Sequence, residues 1–192
     1  MFEKSLFIGD QTEWTALDPE KDSSTLSLWS SDLFFSRQIM DKPARNYAAH
    51  EIKKKITEDL KEADKNKLQY YFAVRKIDNQ EMIAFVRFSG LFISLQTGRL
   101  FIQFASTEAL NQFGREVLSM ALNFAFMEVN LNRLAVVLPS CHEASQKLYE
   151  SFGFLREVQL REAIFHEGRY FDLLGYGMMR SEYKKCFLEV AA

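Results

Sequence analysis

Few side chains in this sequence are spaced for chemistry. Ser145 and Tyr149 lie one helical turn apart, so they share a face while Ala144 and Leu148 turn toward a core. A phenol held at hydrogen-bond distance can give a proton to a departing anion. Its alternative role is an amphipathic packing residue whose hydroxyl reaches water. Cys141 and His142 are neighbours, but adjacent residues at a helix end point different ways. No orienting Asn or Asp accompanies them, so they do not form a nucleophile pair. Trp29, Asp32, Phe34, Phe35 and Arg37 gather aromatic faces and one carboxylate, a composition suited to a cationic amine or to satellite core under a loop.

The elements that must position these groups follow from pattern. Residues 5–17 read as a first strand, and residues 26–29 and 33–35 as short helical or irregular pieces ending near Pro43. Residues 48–65 carry Ile52, Ile56 and Leu60 four apart among charges, an amphipathic surface helix. Residues 68–77, 82–95 and 98–106 are β-rich runs separated by turn signals, an antiparallel meander. A second helix is predicted over 115–129 and a short buried strand over 133–138, stopped by Pro139. Ser140 and Glu143 suggest a capping box for a third helix over 144–152, closed by Gly153 at C′. Residues 157–165 and 169–178 make a hairpin around Glu167-Gly168, which completes an α/β domain with a mixed sheet.

Composition bounds the function. The 192 residues are 47% apolar and 26% charged, enough to bury a full core, and no Pro/Gly/Ser-rich linker divides them, so residues 1–192 read as one domain. Twenty-four Lys and Arg against 26 Asp and Glu give a net charge of −2, and the lysine runs are short and balanced. No field draws nucleic acid or anionic lipid, and a small molecule or local protein partner fits better. No stretch approaches the ~20 apolar residues of a membrane span. No Cys/His cluster has zinc spacing, so no metal is expected, and Cys141 and Cys186 read as reduced. With no signal-peptide pattern at the start, a cytoplasmic setting is expected.

The motifs from Leu131 to Arg133, His142 to Phe154, Leu160 to Phe165 and Gly168 to Asp172 resemble the C-terminal half of GNAT-fold acetyltransferases. The resemblance is nearest to the RimJ/RimL branch of ribosomal-protein N-terminal acetyltransferases, whose relatives include spermidine and antibiotic acetyltransferases. Leu6 to Gly9 and Leu28 to Asp32 extend it to the N-terminal half. It implies a GNAT fold: a mixed, mostly antiparallel central sheet of about seven strands, splayed in the middle and flanked by helices. It also implies acetyl-CoA as donor, lying between splayed parallel strands near 99–106 and 133–139, and a primary amine as acceptor.

On this resemblance Tyr149 protonates the departing CoA thiolate, and Phe104, His142 and Ser145 contact the cofactor. The pyrophosphate would sit at a helix start made by Asn111, Gln112, Phe113, Gly114 and Arg115, where backbone N–H groups and the helix dipole favour an anion. The sequence departs from the family here, because only Gly114 remains of the expected glycines and basic residue. Residues 109–114 either form an anion nest or continue a capped helix from Ser106. His142 replaces the usual Asn, and the strand before the loop carries no acid. Glu108 is the nearest candidate base, with a solvated helix-start acid as the alternative. Trp29, Asp32, Phe34 and Phe35 occupy the segment that walls the acceptor pocket in relatives. The acceptor is a protein N-terminus, a polyamine or another small amine, and a homodimer is compatible. The alternative function is a catalytically reduced module that binds acyl-CoA or a protein partner.

Overall fold

The computed structural model describes residues 6–38 and 45–187. The expected end of the second segment near Pro43 lies outside them, as does the side chain of Cys186. One seven-stranded sheet organises the rest: β1 (Thr12–Ala16), β2 (Tyr70–Lys76), β3 (Met82–Phe92), β4 (Thr97–Phe104), β5 (Arg133–Pro139), β6 (Leu155–His166) and β7 (Arg169–Met179). Their spatial order is β1-β2-β3-β4-β5-β7-β6, and β4 and β5 are the parallel pair in an otherwise antiparallel sheet. The expected mixed, mostly antiparallel sheet of seven strands is observed.

Strand alternation explains why both faces are covered. On β2, Phe72 and Val74 point into the main core with Val86, Phe88, Leu118, Leu122 and Leu134, whereas Tyr71 and Ala73 enter a second cluster with Leu17, Leu26, Phe35 and Ile56. The second cluster lies beneath α1 (Pro19–Trp29), α2 (Leu33–Arg37) and α3 (Ala49–Asn66), whose Ile56 and Ala63 are its buried face. A buried ion pair joins Arg75 of β2 to Asp22 of α1, and Arg75 Nε also donates to Thr15 Oγ1 at 3.1 Å. Removing one partner of such a pair typically costs about 3–5 kcal/mol, because the other charge is stranded.

Helix α4 (Thr107–Asn123) covers the opposite face and starts eight residues before its expected position. The Ser106 hydroxyl accepts from the Ala109 amide at 3.2 Å and nucleates the helix there. A π turn, Phe124–Glu128, ends it. Helix α5 (Glu143–Ser151) has His142 at its N-cap with no side-chain cap bond. The expected Ser140 capping box is therefore corrected: Ser140 Oγ accepts from the Asp172 amide at 3.1 Å and ties β5 to β7 instead. At the other end Gly153 adopts φ +90°, and Phe154 N donates to Tyr149 O while Gly153 N donates to Glu150 O. This is a Schellman close of the kind the glycine predicted. Helix α6 (Arg180–Phe187) follows β7. No helix among the described residues is long and apolar enough to cross a membrane.

Candidate active site

The parallel strands make the site by separating. β4 and β5 pair at Thr97 with Arg133, Gly98 with Leu134 and Arg99 with Ala135, and no pair follows. The close approach at this end needs Gly98, since a Cβ there would lie 2.5 Å from a Leu91 methyl. Beyond Arg99 the strands diverge, and a cleft opens between Leu100–Phe104 and Val136–Pro139, walled at the side by α5.

Along α5, His142, Ser145 and Tyr149 stand at i, i+3 and i+7, and all three line this cleft. Tyr149 is buried and packs edge-on against Phe154, with ring centroids 5.3 Å apart. Burial pushes its phenol pKa well up, so the hydroxyl keeps its proton at neutral pH. Among the described residues that hydroxyl has no hydrogen-bond partner. His142 is buried too, and its Nε2 lies 3.1 Å from the Arg37 carbonyl oxygen. Desolvation is the main cause that lowers its pKa below the usual imidazole value.

Two glutamines that sequence reasoning missed support the site, Gln38 in the cleft wall and Gln103 outside its lining. Gln38 Nε2 donates to Phe104 O at 3.0 Å, and Phe104 N donates to Gln38 Oε1 at 3.0 Å. The Gln38 carboxamide thus occupies the edge of β4 that lost its strand partner, satisfying groups that would be costly to leave unpaired in a buried setting. Gln103 Nε2 donates to Phe35 O at 3.0 Å and holds α2 against β4. A clue existed for Gln103, because an amide between the apolar run Leu100-Phe101-Ile102 and Phe104 must find a partner. Gln38 carried none, its partner being 66 residues away.

The expected phosphate nest is corrected. Residues 109–115 lie inside α4, so the amides of Asn111, Gln112, Phe113, Gly114 and Arg115 belong to its helical ladder. Asn111 and Gln112 are exposed, and Phe113 is core. Gly114 serves packing: a Cβ there would meet a Leu148 methyl at 3.0 Å, so its absence lets α5 lie close. Arg115 reaches α5 by another route, 3.3 Å from Ser151 Oγ and over the Phe152 ring. Glu108 is exposed and outside the cleft, and its bond to the Ser106 side chain holds its carboxyl below the ordinary value. That makes it a helix-start acid rather than a base facing the cleft.

The acceptor-segment residues divide. Trp29 and Phe35 pack edge-on at 5.4 Å within the second cluster, so they are core. Asp32 caps α2 by accepting from Phe34 N at 2.7 Å and Phe35 N at 3.2 Å. Phe34 alone of the four reaches the site, its ring edge-on to His142 at 5.9 Å. Phe104 lines the cleft as expected. Cys141 is a free thiol whose pKa burial raises, which leaves it protonated. Among the described residues no group of three or more His, Cys, Asp or Glu is placed to hold a metal.

A cleft with an apolar lining, opened where β4 leaves β5, and a phenol at its side suits an extended, amide-bearing thioester, while the N–H and C=O of Phe104 are taken by Gln38. It does not supply a glycine loop for the phosphates. Residues 19–174 match the acetyltransferase (GNAT) domain family. Among curated relatives, the uncharacterized N-acetyltransferase YokL of Bacillus subtilis is 36% identical over 72 residues, 38% of this chain and 41% of that protein. The spermidine N(1)-acetyltransferase of Vibrio cholerae is 31% identical over 71 residues, 37% of this chain and 41% of that protein. These alignments therefore span less than half of each relative. In structure, the Vibrio cholerae spermidine N-acetyltransferase in complex with CoA and spermine superimposes with a TM-score of 0.75 at 19% identity, covering 91% of this chain and 99% of that one. The family match over most of the chain and the shared fold agree: the chain belongs to the GNAT acetyltransferase family.

Proposed function

We propose that this chain works as one cytoplasmic domain that transfers an acetyl group from acetyl-CoA to a primary amine, by direct attack in a ternary complex. When bound, acetyl-CoA supplies an activated acetyl thioester. Its amide-bearing arm would lie along β4 beside Phe104, whose own N–H and C=O are taken by Gln38, and Ser145 would donate to it from α5. Tyr149 holds a proton at its hydroxyl for the leaving sulfur. Holding donor and acceptor in one cleft supplies much of the rate through proximity. The observation that carries this reading is the divergence of β4 from β5 with Tyr149 against the gap.

For the acceptor we infer a polyamine or a protein N-terminus. The RimJ/RimL-like placement is supported by a putative ribosomal N-acetyltransferase of Bacillus subtilis that is 32% identical over 63 residues, 33% of this chain. The polyamine option draws on the spermidine enzyme described above. The reading includes assembly of like chains, a homodimer at its simplest; the spermidine N-acetyltransferase of Vibrio cholerae, of the same fold, has a dodecameric structure. A second reading, a GNAT-fold module with reduced catalysis, is favoured by one observation, the capped start of α4 where a phosphate nest was expected.

A thermal-shift titration with CoA and a turnover assay with acetyl-CoA plus spermidine or an N-terminal peptide separate the two. Ligand at ~100 times its dissociation constant adds about 2.7 kcal/mol. For a domain of this size that is a rise of roughly 5–10 °C in Tm. A shift with turnover supports the enzyme, a shift without turnover supports the binding module, and no shift removes both.

A further inference from the structure

Acetyl transfer to an amine needs a place for the nitrogen's proton, and the carboxylate expected to receive it lies outside the cleft. Among the described residues that line the cleft, only two titrate: His142 and Tyr149. Their environments push them in opposite directions, each toward its neutral form. A neutral phenol can give a proton and a neutral imidazole can take one, the division of labour expected of an acid and base in one site.

The hydrogen bond to Arg37 decides which imidazole nitrogen is available. A backbone carbonyl only accepts, so the 3.1 Å contact requires the proton on Nε2. In the neutral ring Nδ1 then carries the lone pair. Among the described residues no group donates to it, and His142 lines the cleft. The ring is held edge-on by Phe34, which fixes its orientation from the side of α2. Ser140, two residues earlier, is locked to Asp172, so the backbone that carries the ring is anchored as well.

We propose that His142 is the proton acceptor for the incoming amine, acting through Nδ1, with the Arg37 carbonyl fixing its tautomer. This rests on the acetyl-transfer reading above. The nitrogen–carbon bond forms as the carbon–sulfur bond breaks. The proton shed by nitrogen passes to Nδ1, and the sulfur takes a proton from Tyr149 or leaves as thiolate. Imidazolium and phenolate then return to neutral by exchange with water. His142 and Tyr149 are separated by two turns of α5, about 10 Å of rise, which leaves room for the reacting centre between them.

The charged and titratable neighbours of the ring are consistent with a base that stays neutral. Arg37 of α2 and His166 of β6 both oppose a positive charge on it, Cys141 beside it is protonated, and Tyr149 lies on its own helix. Glu167, the nearby acid, is engaged by Arg37. The imidazolium formed in the reaction is therefore a ready proton donor to water and does not trap the enzyme.

The test combines a spectroscopic and a kinetic readout. Long-range ¹H–¹⁵N correlation on histidine-labelled protein at pH 7.5 should show the His142 ring neutral with its proton on Nε2. A protonated Nδ1, or an imidazolium, overturns the proposal without any assay. His142→Gln keeps an amide N–H able to reach the Arg37 carbonyl and removes the basic nitrogen. With acetyl-CoA and spermidine its kcat should fall by about 10²-fold or more, with CoA affinity by calorimetry within about threefold. In wild type, kcat should fall about tenfold per pH unit below the ring's pKa, on the acid side of the ordinary histidine value. An unimpaired His142→Gln, or a wild-type kcat flat through that range, overturns the proposal while leaving acetyl transfer intact. If the wild type acetylates no amine, the acetyl-transfer reading fails, and this proposal falls with it.

Discussion

Two helices border the cleft, and they begin in opposite ways. The first turn of α4 is closed by its own side chains, Ser106 on the Ala109 amide and Glu108 against Ser106. The first turn of α5 has no side-chain cap, and its N-cap residue, His142, points its ring into the cleft and at Arg37. The difference leaves the N-cap side chain of α5, and not that of α4, facing the cleft. A cap hydroxyl satisfies an amide that would otherwise be free for a ligand. At α5 the N-cap position holds a residue that caps no helix amide and lines the site.

The largest test of this contrast is Tyr149→Phe. If α5 carries the chemistry, losing the hydroxyl should lower kcat by ~10²- to 10⁴-fold while CoA affinity stays within about threefold, because ring volume is kept. Since burial raises the phenol's pKa, no loss of the acid form is expected up to pH 10. The same shift has a stability consequence. A group whose folded pKa is raised contributes its full stability below the unfolded value and loses it as pH rises toward the folded one. Denaturant midpoints followed upward from pH 10 should therefore fall in wild type and fall less in Tyr149→Phe.

Gly114→Val sharpens the contrast from the α4 side. If Gly114 serves packing, the variant should destabilise by about 1–3 kcal/mol, since branched carbons would press on Leu148 and force α5 away. Activity should drop with it as Tyr149 and Ser145 are displaced. A loss of CoA affinity with Tm unchanged would instead make Gly114 a phosphate-loop glycine.

How much of this was legible depends on how local the signal was. Gly153 announced the end of α5 because an αL close is set by a few adjacent residues. The Ser145–Tyr149 stripe was equally local. The start of α4 was misread because Gly114, a residue that usually interrupts helices, sits inside it, tolerated where Leu148 needs the space. The Ser106 cap was visible but competed with the expectation of a loop. Gln38 on Phe104 and His142 on Arg37 could not be read at all, since each joins residues 66 and 105 apart. The aromatic acceptor wall dissolved for a related reason: the family resemblance placed Trp29 and Phe35 near the site, but a second core beneath α1 and α3, the alternative their composition left open, claimed them.

A smaller effect is expected at the cap itself. Ser106→Ala should cost about 1 kcal/mol, or roughly 2–4 °C in Tm. It should leave kcat within about twofold, because the groups proposed to react stand on α5 and not on the first turn of α4. A kcat loss larger than the folding loss explains would move catalysis back toward α4.

The smallest effects expected are at Glu108 and Asn111. Glu108→Gln should leave kcat and its pH profile unchanged within about twofold, because a carboxylate held below its ordinary pKa is a weaker base, and this one lies outside the cleft. Asn111→Ala should leave the dissociation constant for CoA equally unmoved, since the side chain is exposed and its backbone amide is inside the helical ladder. Calorimetric titration with CoA and with desulfo-CoA would read this directly, and both variants should bind like wild type. A tenfold loss of CoA affinity in Asn111→Ala, which is about 1.4 kcal/mol, would mean that the start of α4 holds the phosphates despite its cap. The two helices would then share the cofactor, and the contrast drawn between them would fail at the residue where it predicts nothing should happen.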